Sequence, residues 1–306
     1  MSVATGPIAG AHPATAAVNA AGLRRDAGAE RRFFLLLALP SLVIVGIGAM
    51  LPMFWILRQS LRTVQDTFTV ANYESVLTSA LTWKSLLITL ELSGGTLLFC
   101  LLLGVPLASL LAAASPKTAS RLMVLILLPL WTSILVRTYG WLVLLRRDGM
   151  INDFLVGSGL VSEPVPLVYN FTGTLIGMVH YMLPIFVLPV YAAMRDIDGN
   201  VIRAAASMGA GLWRCFRTVI LPLATGGIVS GSVIVFIYTL GFFITPAILG
   251  GGRISPIAIR IDRTLSTLQD WGGAAALGIQ LLVLVAILGA MSLGVARLVN
   301  SKPAGS

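Results

Sequence analysis

Five stretches of this chain contain no Asp, Glu, Lys or Arg: 33–57, 92–116, 164–194, 218–252 and 271–296, which are 25, 25, 31, 35 and 26 residues long. About 20 apolar residues in a helix cross the hydrocarbon core of a bilayer, so each stretch is long enough to do so. Only helices and closed barrels satisfy every backbone hydrogen bond in lipid, and continuous apolar runs of this length specify helices. The composition agrees. The 306 residues are 57% hydrophobic and 11% charged, with a mean hydropathy of +0.93, where soluble domains carry about 25% charge. The fold class expected is an all-α integral membrane protein.

Six spans are expected: Phe33–Leu57, Ser85–Ala114, Leu122–Leu145, Val168–Met194, Thr218–Leu240 and Ala274–Leu298, with Glu91 and Arg137 the interior charges of the second and third. Residues 1–32, rich in Ala and Gly and ending in Arg24, Arg25, Arg31 and Arg32, read as a disordered tail. The membrane-spanning body covers 33–299 and a short tail 300–306. The tail, the 115–121 turn, the 195–217 loop and the C-terminus hold twelve Lys and Arg; the other three connections hold eight. Positive residues stay on the cytoplasmic side, so both termini are expected there. Phe68–Thr82 and Asp148–Leu160 are amphipathic, and periodicity leaves surface helix and irregular cap equally open for them.

Several function classes are disfavoured. The net charge of +9 is spread singly or in pairs between apolar runs, which suits membrane orientation and not a nucleic-acid stripe. Cys100 and Cys215 lie in an apolar run and a basic loop, so no disulfide framework is expected, and two histidines, His12 and His180, supply no metal-ligand cluster. No G-x-x-x-x-G-K-[ST] loop occurs, so ATP phosphates are not held here in that manner. An intramembrane enzyme would need clustered ionisable groups, and Glu91, Arg137 and His180 fall on three different spans.

The 195–217 loop is the informative connection. It holds an Ala-rich helical segment, Val201–Met208, a Gly209-Ala210-Gly211 break, and an amphipathic turn with Trp213 and Phe216 beside Arg214 and Arg217; Leu221-Pro222 then opens the next span. So short a helix-turn-helix cannot bury its own apolar face, which points to a partner protein. The spacing resembles the cytoplasmic signature of the inner-membrane permease subunits of ATP-binding-cassette importers: E-A-A, three residues, Gly, nine residues, Ile, one residue, Leu-Pro. The matching positions are Arg203-Ala204-Ala205, Gly209, Val219 and Leu221-Pro222, with Arg203 where the acid is usual and Val219 where Ile is.

That resemblance implies a type I importer permease fold of six spans and a non-catalytic chain that binds no cofactor. Its Arg203–Phe216 segment would dock in a groove of separate ATPase subunits, which use the ATP. It further implies a second permease subunit as hetero-dimer partner, a periplasmic or extracellular solute-binding protein, and a place in the bacterial inner membrane surrounded by lipid. Arg203 removes the usual carboxylate contact and leaves the apolar part of the surface. Leu128-Pro129-Leu130-Trp131-Thr132-Ser133 with Val136-Arg137-Thr138-Tyr139, then Phe243-Ile244-Thr245-Pro246 with Leu249-Gly250-Gly251, and Asp270-Trp271 before Gly272–Ala276, are similar to the spermidine/putrescine branch. Members carry polyamines and relatives carry other small organic solutes; an ion-coupled secondary transporter is the alternative from another class.

An unpaired charge in a span costs at least about 2.5 to 3.5 kcal/mol. For Glu91 and Arg137 three arrangements stay open: pairing with each other, snorkelling to the interface, or, for Glu91, a place beside the translocation path of a cationic solute. His180, near Tyr181 and Pro184, reads as a satisfied helix-contact residue. Pro106, Pro129, Pro184, Pro189, Pro222 and Pro246 are expected to interrupt spans. Gly94-Gly95, Gly226-Gly227, Gly272-Gly273 and Ser230-Gly231 allow close helix approach, either within the chain or to a second subunit.

Overall fold

A computed structural model describes the backbone of residues 13–63 and 65–300. The chain divides into two compact units, Met1–Ile56 and Leu57–Ser306. Helix α1, Pro13–Ser60, supplies the described part of the first unit. Its apolar span is Leu36–Ser60. Residues 13–32, expected to be disordered, are therefore helical: alanine has the strongest intrinsic helix preference, and this segment is rich in it. Residues 1–12 lie outside the described residues, as do 301–306 of the short C-terminal tail.

The second unit is built on three helices that pack pairwise: α3 (Ala80–Ala113), α7 (Phe171–Arg195) and α11 (Thr225–Leu240). A short α2, Ala71–Thr78, precedes α3. The core lies between the three, where Leu92, Cys100, Ala108 and Leu111 of α3 meet Met178, Met182, Phe186, Val187 and Val190 of α7 and Val235 of α11. Glycines set the spacing here. Phe186 is fully buried and its ring fills the space a side chain at Gly104 would need, while Gly231 faces the same residue from α11. Gly95 and Gly227 likewise face Leu175 and Ala193, so these glycines serve packing within the chain.

The third and fifth spans are bent, as expected at Pro129 and Pro222. Leu122–Leu145 is divided into α4 (Pro116–Leu127), a 3₁₀ turn at Leu128–Trp131, and α5 (Ile134–Leu145), with a 96° bend between its two halves. Pro129 cannot donate a backbone hydrogen bond, and Thr132 and Ser133 are extended. Helix α6, Met150–Gly157, follows, so the Asp148–Leu160 stretch is helical over most of its length.

The fifth span begins with α8 (Gly199–Ser207) and α9 (Leu212–Cys215) before it. It then passes through a π turn, Phe216–Ile220, and α10, Leu221–Leu223, and bends by 66° at Ala224 before α11. Pro222 has no N–H for the Thr218 carbonyl, and an i→i+5 turn together with a kink is a common response. Pro106, Pro184 and Pro189, by contrast, sit inside unbroken α3 and α7, so only Pro129 and Pro222 stand at breaks within spans.

The 35-residue charge-free run thus extends beyond the fifth span: α11 ends at Leu240 and a short α12, too brief to cross a bilayer, occupies Ile244–Leu249. Helix α13, Ile257–Ser266, and α14, Trp271–Asn300, complete the described residues. They pack with α2 and α3 in a second cluster formed by Val76, Leu86, Ile257, Ala276 and Leu277. Among the described residues four helices are long and apolar enough to cross a membrane, and up to six spans result if each bent pair counts as one.

Candidate functional site

The 195–217 loop is anchored at both ends. Arg195, in the last turn of α7, donates to the Ala112 carbonyl at the end of α3 over 3.3 Å, where free carbonyls favour a cation. On the far side Phe216 and Ile220 pack against the core cluster. Phe216, expected on the docking surface, is thus half-buried and acts as the root of the loop; it stacks on Trp213 at 5.7 Å.

Asp198 caps α8, its Oδ1 accepting from the Asn200 N–H at 2.8 Å. This bond and a second from the Asn200 side chain hold the Asp198 carboxyl below its ordinary value. The Arg203 guanidinium donates to Asn200 Oδ1 at 2.6 Å, so this residue braces the first turn of its own helix. At the other end Gly209 is left-handed, with φ of +81°. Its N–H reaches the Ala206 carbonyl at 3.0 Å and the Ala210 N–H reaches the Ala205 carbonyl at 3.1 Å. These two bonds form a Schellman closure, which glycine permits because it has no Cβ.

The hairpin buries one narrow seam, Ala205 and Cys215, and leaves the rest outward. Met208 is 82% exposed, Leu212 95% and Trp213 72%, with Val201, Arg203, Ala204 and Arg214 also exposed. Leu221 is half-buried and Pro222 exposed at the entrance to the bent span. A surface with three large apolar side chains at the turn of a helical hairpin, bordered by arginines, is suited to a groove on another protein.

Glu91 and Arg137 are not brought together. Among the described residues the ion pairs join Arg62 to Asp66 and Arg146 to Asp148. Arg137 instead closes over the break in the third span, donating to the carbonyls of Pro129 and Thr132 and to Thr132 Oγ1. Its guanidinium lies 5.0 Å from the centre of the Tyr181 ring. The structure thus uses the charge to satisfy carbonyls that the bend exposes. Glu91 is exposed on α3.

His180 accepts from Trp141 Nε1 at 3.0 Å, the helix-contact role expected of it. One feature was not found in the sequence: Tyr181, Tyr238 and Phe242 form an aromatic cluster, with centroids 5.1 to 6.4 Å apart. The i, i+4 spacing of Tyr238 and Phe242 was its only local signal.

Comparison with known proteins agrees with this geometry. Residues 104–302 match the family described as binding-protein-dependent transport system inner membrane component. The chain is 33% identical over 223 residues to the spermidine/putrescine transport system permease protein PotB of Haemophilus influenzae, covering 72% of this chain and 77% of that one. It is 30% identical over 264 residues to PotB of Escherichia coli strain K12, covering 86% and 94%. A bacterial alginate ABC transporter, crystallised with an alginate-bound periplasmic protein, contains a chain that superposes with a TM-score of 0.71 at 18% identity, covering 89% of this chain and 96% of that one.

Proposed function

Because the chain belongs to the family of binding-protein-dependent transport system inner membrane components, we propose that it is the polyamine-passing permease subunit of an ATP-driven importer. In this reading a solute-binding protein delivers spermidine, putrescine or a related organic cation from outside. The chain pairs with a second, different permease subunit in the inner membrane, keeps both termini in the cytoplasm and binds no cofactor. Separate ATPase subunits supply the energy. The polyamine assignment is supported by the two PotB relatives, which match over most of their own length. Family membership also sets aside the ion-coupled alternative.

The observation that carries the coupling role is the exposed turn Met208, Leu212 and Trp213, held on a capped hairpin between α7 and the bent fifth span. A force on it acts on both α7, through Arg195, and the π turn, through Phe216. The test is co-purification of the membrane complex with ATPase activity and spermidine uptake measured for wild type and Leu212→Asp. Leu212 touches little of its own chain, so a charge there leaves the fold intact and is expected to release or uncouple the ATPase. Full coupling in Leu212→Asp would remove the docking role; uptake unaffected by excess spermidine would remove the polyamine assignment alone.

A further inference from the structure

The face of α13 turned toward the start of α3 carries a pair of arginines that the transport reading does not use. Arg260, Arg263, Thr264 and Thr267 fall at i, i+3, i+4 and i+7, so they share one side of the helix. With Ser255, Leu81 and Leu268 they line a pocket of about 410 Å³. Arg260 donates to Ser79 Oγ at 3.1 Å and Arg263 to the Gly252 carbonyl at 3.2 Å, which leaves most of their donors unused. The Nε of Arg260 is buried with no hydrogen-bond partner. Neither guanidinium is in an ion pair among the described residues. Asp262, between them in sequence, is exposed, and Asp270 accepts from the Gly273 N–H. Two uncompensated arginines around a buried, unfilled donor call for an oxyanion.

The surroundings choose among oxyanions. Leu81 and Leu268 are exposed at the pocket's lip. Trp83 and Trp271, also exposed, stand in the first turns of α3 and α14, where amphipathic aromatics mark the boundary between hydrocarbon and headgroups. The pocket is far roomier than one inorganic anion requires, and its apolar lip suits acyl chains. We propose that Arg260 and Arg263 bind the phosphate of a membrane phospholipid, with Ser255 and Thr267 offering hydroxyl donors and Leu81 and Leu268 flanking the glycerol end. Two positive charges exclude a polyamine from this pocket, so the site is separate from cargo handling. It rests on membrane location alone, and the coupling and uptake tests can fail without touching it.

The test uses the full-length chain, purified with the subunits that accompany it, stripped of loose lipid and examined by native mass spectrometry with added phosphatidylglycerol or phosphatidylcholine. Wild type is expected to retain one phospholipid, phosphatidylglycerol the more firmly because of its net charge. Arg263→Gln should weaken retention about tenfold and Arg263→Lys much less, since the guanidinium's charge is worth about that factor in one charge-assisted contact. Arg260→Gln with Arg263→Gln should abolish it, while Arg147→Gln, on another loop, should not change it. Inorganic phosphate should fail to displace the lipid. Unchanged retention in Arg263→Gln overturns the proposal, and because that side chain is exposed the variant folds even where the double variant does not. Complete displacement by inorganic phosphate overturns the lipid assignment in favour of a free-anion site. Loss of a co-purifying subunit with lipid retention intact overturns it in favour of a protein contact.

Discussion

Substituting Gly209 by alanine isolates the conformation of the 195–217 hairpin from every packing effect. A Cβ at this position would meet nothing within 4 Å, so no clash is introduced. What changes is the backbone: φ of +81° is costly for an L-residue, by about 1 to 2 kcal/mol. Loss of glycine's freedom in the open form returns about 0.4 to 1 kcal/mol. The net of about 1 kcal/mol lowers the closed-to-open ratio of the hairpin about fivefold, and for a hairpin that is largely open until it docks the apparent affinity for an ATPase that needs the closed form drops by the same factor. Gly211→Ala is the matched control, because Gly211 has φ of −65° and ψ of 165°, open to alanine, and also has nothing within 4 Å. ATPase activity titrated against the amount of ATPase subunit, with thermal melting of the solubilised chain alongside, reads both quantities. The expected result is a fivefold rightward shift for Gly209→Ala, a smaller shift for Gly209→Asn, little for Gly211→Ala, and melting temperatures alike. Equal shifts for Gly209→Ala and Gly211→Ala would falsify the Schellman argument.

Three further outcomes are expected. Exchanging the charges, Glu91→Arg with Arg137→Glu, should not restore the thermal stability lost in Arg137→Glu alone, because Arg137 serves Pro129 and Thr132; recovery of the melting temperature would show that the two residues do pair. Phe186→Ala, at a fully buried ring between Gly104 and Gly231, should cost about 3 to 5 kcal/mol by chemical denaturation in micelles, and a loss below about 1 kcal/mol would mean the three-helix core closes over the gap. The lowered Asp198 carboxyl stabilises α8 fully above its unfolded value near 3.8, and that contribution is lost as pH falls through the lower folded value; hydrogen exchange at Asn200 and Val201 should therefore speed up only in strong acid in wild type, and should already be fast at neutral pH in Asp198→Ala.

The conformation of the 195–217 hairpin was largely legible in the sequence because its determinants are local. An Ala-rich segment, a glycine that can take positive φ and a following Trp and Leu specify helix, stop and exposed apolar turn within about fifteen residues. Arg203 shows where local reading ended: the spacing located it, and only the fold revealed that it bonds Asn200 in its own first turn. Phe216, expected on the docking surface, is half-buried against the core cluster, because amphipathic periodicity cannot say which side a core will occupy.

Hydropathy alone determined that the chain is an all-helical membrane protein and how many apolar segments it has, since a bilayer imposes a length and a polarity on each segment independently of its neighbours. Tertiary structure decided which of those segments are straight. Proline occurs in α7 without a break and at Pro129 and Pro222 with one, so the residue permits a bend and does not compel it. At the break after Pro129 the carbonyl of Thr132 receives Arg137, five residues along the chain, which also reaches the Pro129 carbonyl and lies beside Tyr181 of α7. The intramembrane charge and the broken span are therefore one structural feature, joined by the cost of leaving a carbonyl without a donor in lipid.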